Sequence, residues 1–142
     1  VLWTQSRIRL PAHPAGFHLV TDAICSGTES LKDCKIGVLH LFIQHTSASL
    51  AINENADPDV REDLQRHFDV LAPQNQSYYA HTLEGPDDMP AHIKAVLIGS
   101  SLSVPVSDGR LALGTWQGIY LCEHRDRGGE RFVIATLQGV SA

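Results

Sequence analysis

Residues 36–71 read I-G-V-L-H-L-F-I-Q-H-T-S-A-S-L-A-I-N-E-N-A-D-P-D-V-R-E-D-L-Q-R-H-F-D-V-L. Three elements are written into this run. Ile36 to Gln44 predicts a strand, with Val38 and Phe42 on one face and Leu39, Leu41 and Ile43 on the other. Apolar residues on both faces predict a central strand covered on both sides. The small residues Thr46 to Ser49 lead to a second, shorter strand at Leu50 to Ile52. Asp57 then reads as a helix cap with Pro58 at the first helical position, where its missing N–H costs nothing. Val60, Leu64, Phe68 and Leu71 follow at helical spacing, and Pro73 ends the run.

The same run carries polar groups that a purely structural segment has little need of. His45 closes the first apolar run, and Asn53-Glu54-Asn55 closes the second. The two segments are expected to deliver a histidine, two amides and several carboxylates to one neighbourhood. That is half of an active site, and the other half must come from later in the chain.

Outward from this core, Trp3 to Leu10 alternates as an edge strand stopped by Pro11, and Phe17 to Ile24 reads as a short strand running into a helix. Residues 73–84 are polar and irregular and carry His81. A second helix is expected over Pro90 to Ile98, with Ile93 and Leu97 on its apolar face and Gly99 as its stop. Strands follow at Leu102 to Val106, Leu111 to Leu113, Ile119 to Arg125 and Phe132 to Leu137, with turns at Ser107-Asp108-Gly109 and Arg127-Gly128-Gly129. The sum is an α+β fold, a mainly antiparallel sheet with two or three helices in a single compact domain over residues 1–142. Strict strand–helix alternation is missing, which argues against a doubly wound sheet.

The chain has 142 residues, enough to bury roughly 68–70% of its unfolded surface without a metal or disulfide staple. Its net charge of −5 argues against a nucleic-acid partner. From Glu54 to Asp88 nine acidic residues face only Arg61 and Arg66, so an anionic substrate there needs a metal or the basic C-terminal segment to offset repulsion. Three cysteines without a C-x-x-C pair predict reduced thiols in a cytoplasmic protein. No apolar run approaches the ~20 residues of a membrane helix, and the start does not read as a signal sequence.

Eight histidines leave several to explain. His40, inside an apolar strand, reads as a hydrogen-bonded core residue. His45, His81 and His92 each sit where an element begins or ends, and three neutral imidazoles plus a water make an open zinc site. Later, Gly114-Thr-Trp-Gln-Gly-Ile-Tyr-Leu-Cys-Glu-His-Arg125 taken as one strand puts Gln117, Glu123 and Arg125 on one face. Glu123 and Arg125 form either a simple ion pair or a base beside an anion contact. Trp116 is either core or the floor of a pocket for a planar ring. Lys94, close to His92 on the same helix, reads first as a solvated surface lysine. Nucleophile-elbow, Walker A and dinucleotide motifs do not occur.

With these residues in view, the chain resembles the YjbQ family, also described as secondary thiamine-phosphate synthases. The matching segments are His45-Thr-Ser-Ala, Asn53 through Arg61, Pro90-Ala-His-Ile-Lys94, Pro105-Val through Leu113-Gly-Thr-Trp-Gln117, Glu123-His-Arg and Ala135-Thr-Leu-Gln-Gly. The resemblance implies a homotrimer with sites near subunit interfaces. It also implies a weak activity that joins a hydroxymethylpyrimidine diphosphate to a thiazole phosphate and releases pyrophosphate. By residue matching, His45, His81 and His92 fall on the family's histidine positions, with Glu54 and Glu123 beside them. One enzymatic reading follows. A divalent metal (zinc or magnesium) on the three histidines holds the diphosphate, Lys94 and Arg125 neutralise the leaving oxygens, Glu54 and Glu123 complete the catalytic set, and Asn53, Asn55, Trp116 and Gln117 bind substrate. The dedicated thiamine-phosphate synthases are TIM barrels, and eight βα units are not legible here, so the activity is equally readable as a side reaction. Two alternatives stay open: a trimeric binding module for a small phosphorylated metabolite, and a structural trimer whose histidines are satisfied polar groups.

Overall fold

The computed structural model describes residues 1–141. The strand expected at Ile36–Gln44 is β3, Cys34–Ile43. Around it lie β1 (Leu2–Leu10), β8 (Arg131–Ser141), β5 (Ser101–Ser107) and β6 (Arg110–Leu111), in the order β1-β8-β3-β5-β6. A second sheet has three strands in the order β2-β7-β4: β2 (Gly16–Leu19), β7 (Gln117–Glu123) and β4 (Ala48–Glu54). The strand pairings in both sheets are antiparallel. Helices α1 (Thr21–Gly27), α2 (Pro58–Leu71) and α3 (Asp88–Ile98) complete the fold, with a 3₁₀ turn at Glu29–Asp33. The fold is α+β, as expected.

Burial arranges these elements in three layers. The main core lies between the two sheets, with Leu39, Leu41, Ile43, Val133, Ala135 and Leu137 from the larger meeting Leu50, Ile119 and Leu121 from the smaller. The other face of the small sheet offers Phe17, Tyr120 and Cys122 to Leu64 and Phe68 of α2 and Ile98 of α3. The strand covered on both sides is therefore β7, buried without a break from Gly118 to Glu123. β3 is central by pairing, yet Val38 and Phe42 on its outer face are exposed. Its double apolar pattern was misleading for that reason: among the described residues nothing packs on that face of the larger sheet.

Helix α2 begins as expected, with the Asp57 side chain accepting from Asp59 N–H and Pro58 in the first turn. Helix α3 starts two residues before the expected Pro90, and its buried side chains are Asp88, Pro90, Ala91 and Lys94 instead of Ile93 and Leu97. Leu97 is exposed, as is Leu71 at the end of α2. The Ser107-Asp108-Gly109 turn closes the β5–β6 hairpin with both central residues at positive φ, 50° and 78°.

β7 is the wall shared by both cores. Leu121→Ala is expected to cost about 2–5 kcal/mol in urea unfolding, whereas Leu71→Ala at an exposed helix end stays within about 0.5 kcal/mol.

Candidate functional site

The chemistry gathers at the N-terminal end of α3. Asp88 and His92 stand four residues apart on one helical face, and residues 73–87 bring His81 to the same place. His81 Nε2 lies 2.6 Å and His92 Nε2 3.0 Å from the same oxygen, Asp88 Oδ2. One donor atom from each residue falls within 4.8 Å of the others. The Asp88 side chain is only 3% exposed, and its other oxygen takes an ion pair from Arg125 Nη1 at 2.9 Å. Burial pushes the Asp88 carboxyl up, but the hydrogen bond from His81 and the charges of Arg125 and His92 outweigh it and hold it below the usual carboxylate range.

His92 Nδ1 lies 3.0 Å from the Thr46 carbonyl, which only accepts, so Nδ1 carries the hydrogen. A neutral ring then turns the Nε2 lone pair toward a carboxylate oxygen. That meeting is favourable only with a second proton or a cation between them. An Nδ1–H bound to a backbone carbonyl is also the arrangement that orients a metal-ligating imidazole.

His45 is a neighbour of this group through Thr46 but not a member of it. Its Nε2 accepts the Phe132 N–H at 2.9 Å. Burial, then the Arg131 charge, lowers its proton affinity, consistent with a neutral acceptor. Asp88, outside the helix boundary expected from sequence, occupies the place expected of His45. The i, i+4 spacing of Asp88 and His92 was the available signal.

Glu123 has a different task from the one expected. β7 stops at Glu123, so Arg125 lies beyond the strand and turns to Asp87 and Asp88. Arg131, at the head of β8, takes Glu123 instead, with Nε at 2.8 Å from Oε1 and Nη2 at 2.7 Å from Oε2. Arg131 also bonds Ser47 Oγ at 3.0 Å, and the Arg125 N–H donates to Glu123 Oε2 at 3.1 Å. Gly128 covers the pair so tightly that a Cβ would lie 2.5 Å from both side chains. A saturated, fully buried carboxylate is no general base; it is a clamp. Arg125 is likewise committed, also donating to the Glu84 carbonyl at 2.9 Å.

Lys94 is not a surface lysine. It is buried, and its Nζ pairs with Asp69 Oδ1 of α2 at 2.6 Å. Beside it His124 places Nε2 2.8 Å from Ser49 Oγ. Burial, then the Lys94 and Arg131 charges, pushes the His124 imidazole down to about 3. Lys94, His124, Asp87 and Asp126 line a cavity of about 260 Å³.

The remaining expected residues lie elsewhere. The register pairs Ala48 with Glu123 and Glu54 with Gln117, so six residues of strand, roughly 20 Å, separate the two ends of the small sheet. Asn53, Glu54, Asn55, Trp116 and Gln117 stand at the far end and do not share a site with the histidines inside one chain. Most of their polar groups hold the chain's own turns. Glu54 Oε2 accepts from the Ala56 and Asp57 N–H groups at 2.6 and 2.9 Å. Asn53 Oδ1 accepts from Glu54 N–H, and Asn55 Nδ2 donates to the Thr115 and Gln117 carbonyls. Gln117 Oε1 accepts from Gly114 N–H, while Trp116 is 64% exposed.

Two measurements check this geometry. Glu123→Gln leaves the Arg131 charge buried without its counter-ion, and a loss of about 3–5 kcal/mol is expected in denaturant unfolding. His124 titrates at 6.5 when unfolded and near 3 when folded. Between those values the unfolded state binds more protons, so stability is full above pH 6.5 and falls as pH drops toward 3. His124→Gln is expected to flatten that acid slope by up to one proton per chain, measured as unfolding free energy against pH.

The profile described as "UPF0047 protein YjbQ-like" matches residues 6–140. The UPF0047 protein YjbQ of Salmonella typhimurium is 54% identical over 97% of this chain and 99% of its own length. Among solved structures, an uncharacterised conserved protein of the YjbQ/UPF0047 family from Clostridium acetobutylicum superimposes with a TM-score of 0.80 at 34% identity, covering 97% of this chain and all of that one. A hypothetical protein from Aeropyrum pernix gives 0.84 at 28% identity over 96% of this chain and 99% of its own. The matched span includes both sheets and the His81–Asp88–His92 group, and on these grounds the chain belongs to the YjbQ-like UPF0047 family.

Proposed function

We propose that this chain is a small metabolic enzyme in which His81, Asp88 and His92 hold a divalent cation and the substrate is a small phosphorylated metabolite. The convergence of His81 Nε2 and His92 Nε2 on Asp88 Oδ2, with His92 Nδ1 bonded to the Thr46 carbonyl, carries this reading. Two imidazoles and one carboxylate suit zinc; magnesium prefers an oxygen shell and is the weaker fit. Three protein donors leave a position for water or a substrate oxygen, and the ion would supply Lewis-acid polarisation of a phosphate oxygen there. Arg125 fixes the Asp88 carboxylate from behind, and Asp87 in turn fixes Arg125 at 3.2 Å.

The specific reaction proposed is of the thiamine-phosphate synthase type, joining hydroxymethylpyrimidine diphosphate and thiazole phosphate with release of pyrophosphate. Because Arg125 and Lys94 are already paired with carboxylates, the cation is the natural counter-charge for the diphosphate. A non-catalytic binding module is the second reading, favoured by one observation: Glu123, the expected base, is saturated. The assembly proposed is a homotrimer, and the exposed Ile36, Val38 and Phe42 on the open sheet face support self-association. Three free cysteines fit a cytoplasmic, reducing setting. Among the described residues no helix is long and apolar enough to cross a membrane.

Elemental analysis of protein purified without a metal-affinity tag tests the reading. About one zinc per chain is expected, lost in His92→Ala and Asp88→Asn, with turnover of the two-substrate condensation falling at least roughly a hundredfold. Metal-free protein whose turnover survives His81→Ala would overturn it. Stoichiometric metal with metabolite binding but no turnover would select the binding module.

A further inference from the structure

The stripe of α2 formed by Pro58, Arg61, Glu62, Gln65 and Arg66 faces the segment from Ala15 to His18, and together they line an open groove of about 470 Å³. That volume is within the usual range for small-molecule sites. Two of its side chains are arginines, and neither forms an ion pair among the described residues. Arg9, Arg125 and Arg131 each have a carboxylate partner, whereas Arg61 and Arg66, like Arg7, Arg110 and Arg127, have none among the described residues. Arg61 goes further: its Nη1 is shut off from solvent and has no hydrogen-bond partner among the described residues. A desolvated, unbonded guanidinium N–H costs free energy, and such a group in a folded protein calls for a missing partner.

The rest of the lining agrees with an anionic partner. Burial, partly opposed by its hydrogen bond to the Pro14 carbonyl, lowers the proton affinity of His18, so the case for an anion rests on the arginines. Glu62 is the single carboxylate in the lining, against two guanidinium groups. A guanidinium presents parallel N–H groups that match two oxygens of one oxyanion. Two of them suit a phosphate better than a carboxylate, because a phosphate brings more charge and more acceptor oxygens.

We infer that the groove between α2 and the Ala15–His18 segment is a phosphate-binding site anchored by Arg61 and Arg66. The site is separate from the His81–Asp88–His92 group and does not need a metal. Ala15 and Gln65 also line the cavity that holds Lys94 and His124. A ligand anchored at Arg61 by its phosphate can therefore extend along α2 toward the buried lysine. The occupant is either free phosphate or the phosphate of an ester.

Calorimetric titration of chelator-treated protein with inorganic phosphate, phenyl phosphate and acetate at fixed ionic strength tests this. Phosphate or its ester is expected to bind, with acetate at least roughly tenfold weaker. Arg61→Met and Arg66→Met should each raise Kd about tenfold or more, since a hydrogen bond to a charged group is lost. Arg9→Met, on an exposed strand away from the groove, should leave Kd unchanged. Equal affinity for both phosphates points to the free ion; tighter ester binding points to a phosphorylated metabolite. Should a variant unfold, the wild-type Arg61 Nε–Hε resonance still decides, and a shift on phosphate titration is expected. No binding, unchanged affinity in a folded Arg61→Met, equal acetate binding, or an unmoved Arg61 resonance would each overturn the assignment. Because no metal is present in this experiment, its failure leaves the metal reading untouched.

Discussion

Glu123 and Arg131 form a fully buried bidentate pair at the point where the small sheet meets the head of the longest strand. Arg131 also holds the turn between β3 and β4 through Ser47, and Glu123 receives the backbone N–H of Arg125. The β3–β4 turn is thereby fixed to the two strand ends on either side of the 124–130 turn by two side chains. Arg125 leaves this clamp pointing at Asp87 and Asp88, and Asp88 is the oxygen donor of the candidate metal group. The clamp thus orients the chemistry without touching it. Its net contribution to stability is small compared with what an unpaired half would cost, because desolvation offsets most of the attraction.

The acidic character of residues 54–88 finds its resolution in the same pattern. Asp87 and Asp88 are neutralised by Arg125, which arrives from beyond β7, and Asp69 by Lys94, which arrives from α3. Each cation that resembled a substrate contact in the sequence is already spent on a carboxylate of the chain. Arg61 and Arg66 on α2, the basic residues of this stretch, have no carboxylate partner among the described residues. The proposed anion site and the candidate cation group therefore occupy different places on the chain.

Apolar side chains remain open on the described residues, besides those on the outer faces of α2 and α3. The outer face of the larger sheet carries Trp3, Ile36, Val38 and Phe42 in water, and the far end of the small sheet exposes Trp116. Apolar exposure on this scale in a chain of this size fits self-association.

Much was legible in the sequence because it depends on short-range rules. The Asp57-Pro58 start of α2, the Asp108-Gly109 hairpin, the edge strand stopped by Pro11 and the family motifs all follow from local backbone preference and residue identity. The α+β class follows in the same way, whereas the meeting of His81 with His92 was implied by the family resemblance and not by their spacing. Which strand is buried on both faces, which carboxylate Arg125 meets, and whether Lys94 is in water were beyond it. Those outcomes depend on how sheets stack and on where β7 ends, and a shift of two residues there hands Glu123 to Arg131 instead of Arg125. An apolar pattern reports that a face avoids water, but only the tertiary structure decides what covers it, because burial is a property of neighbours far away in the chain.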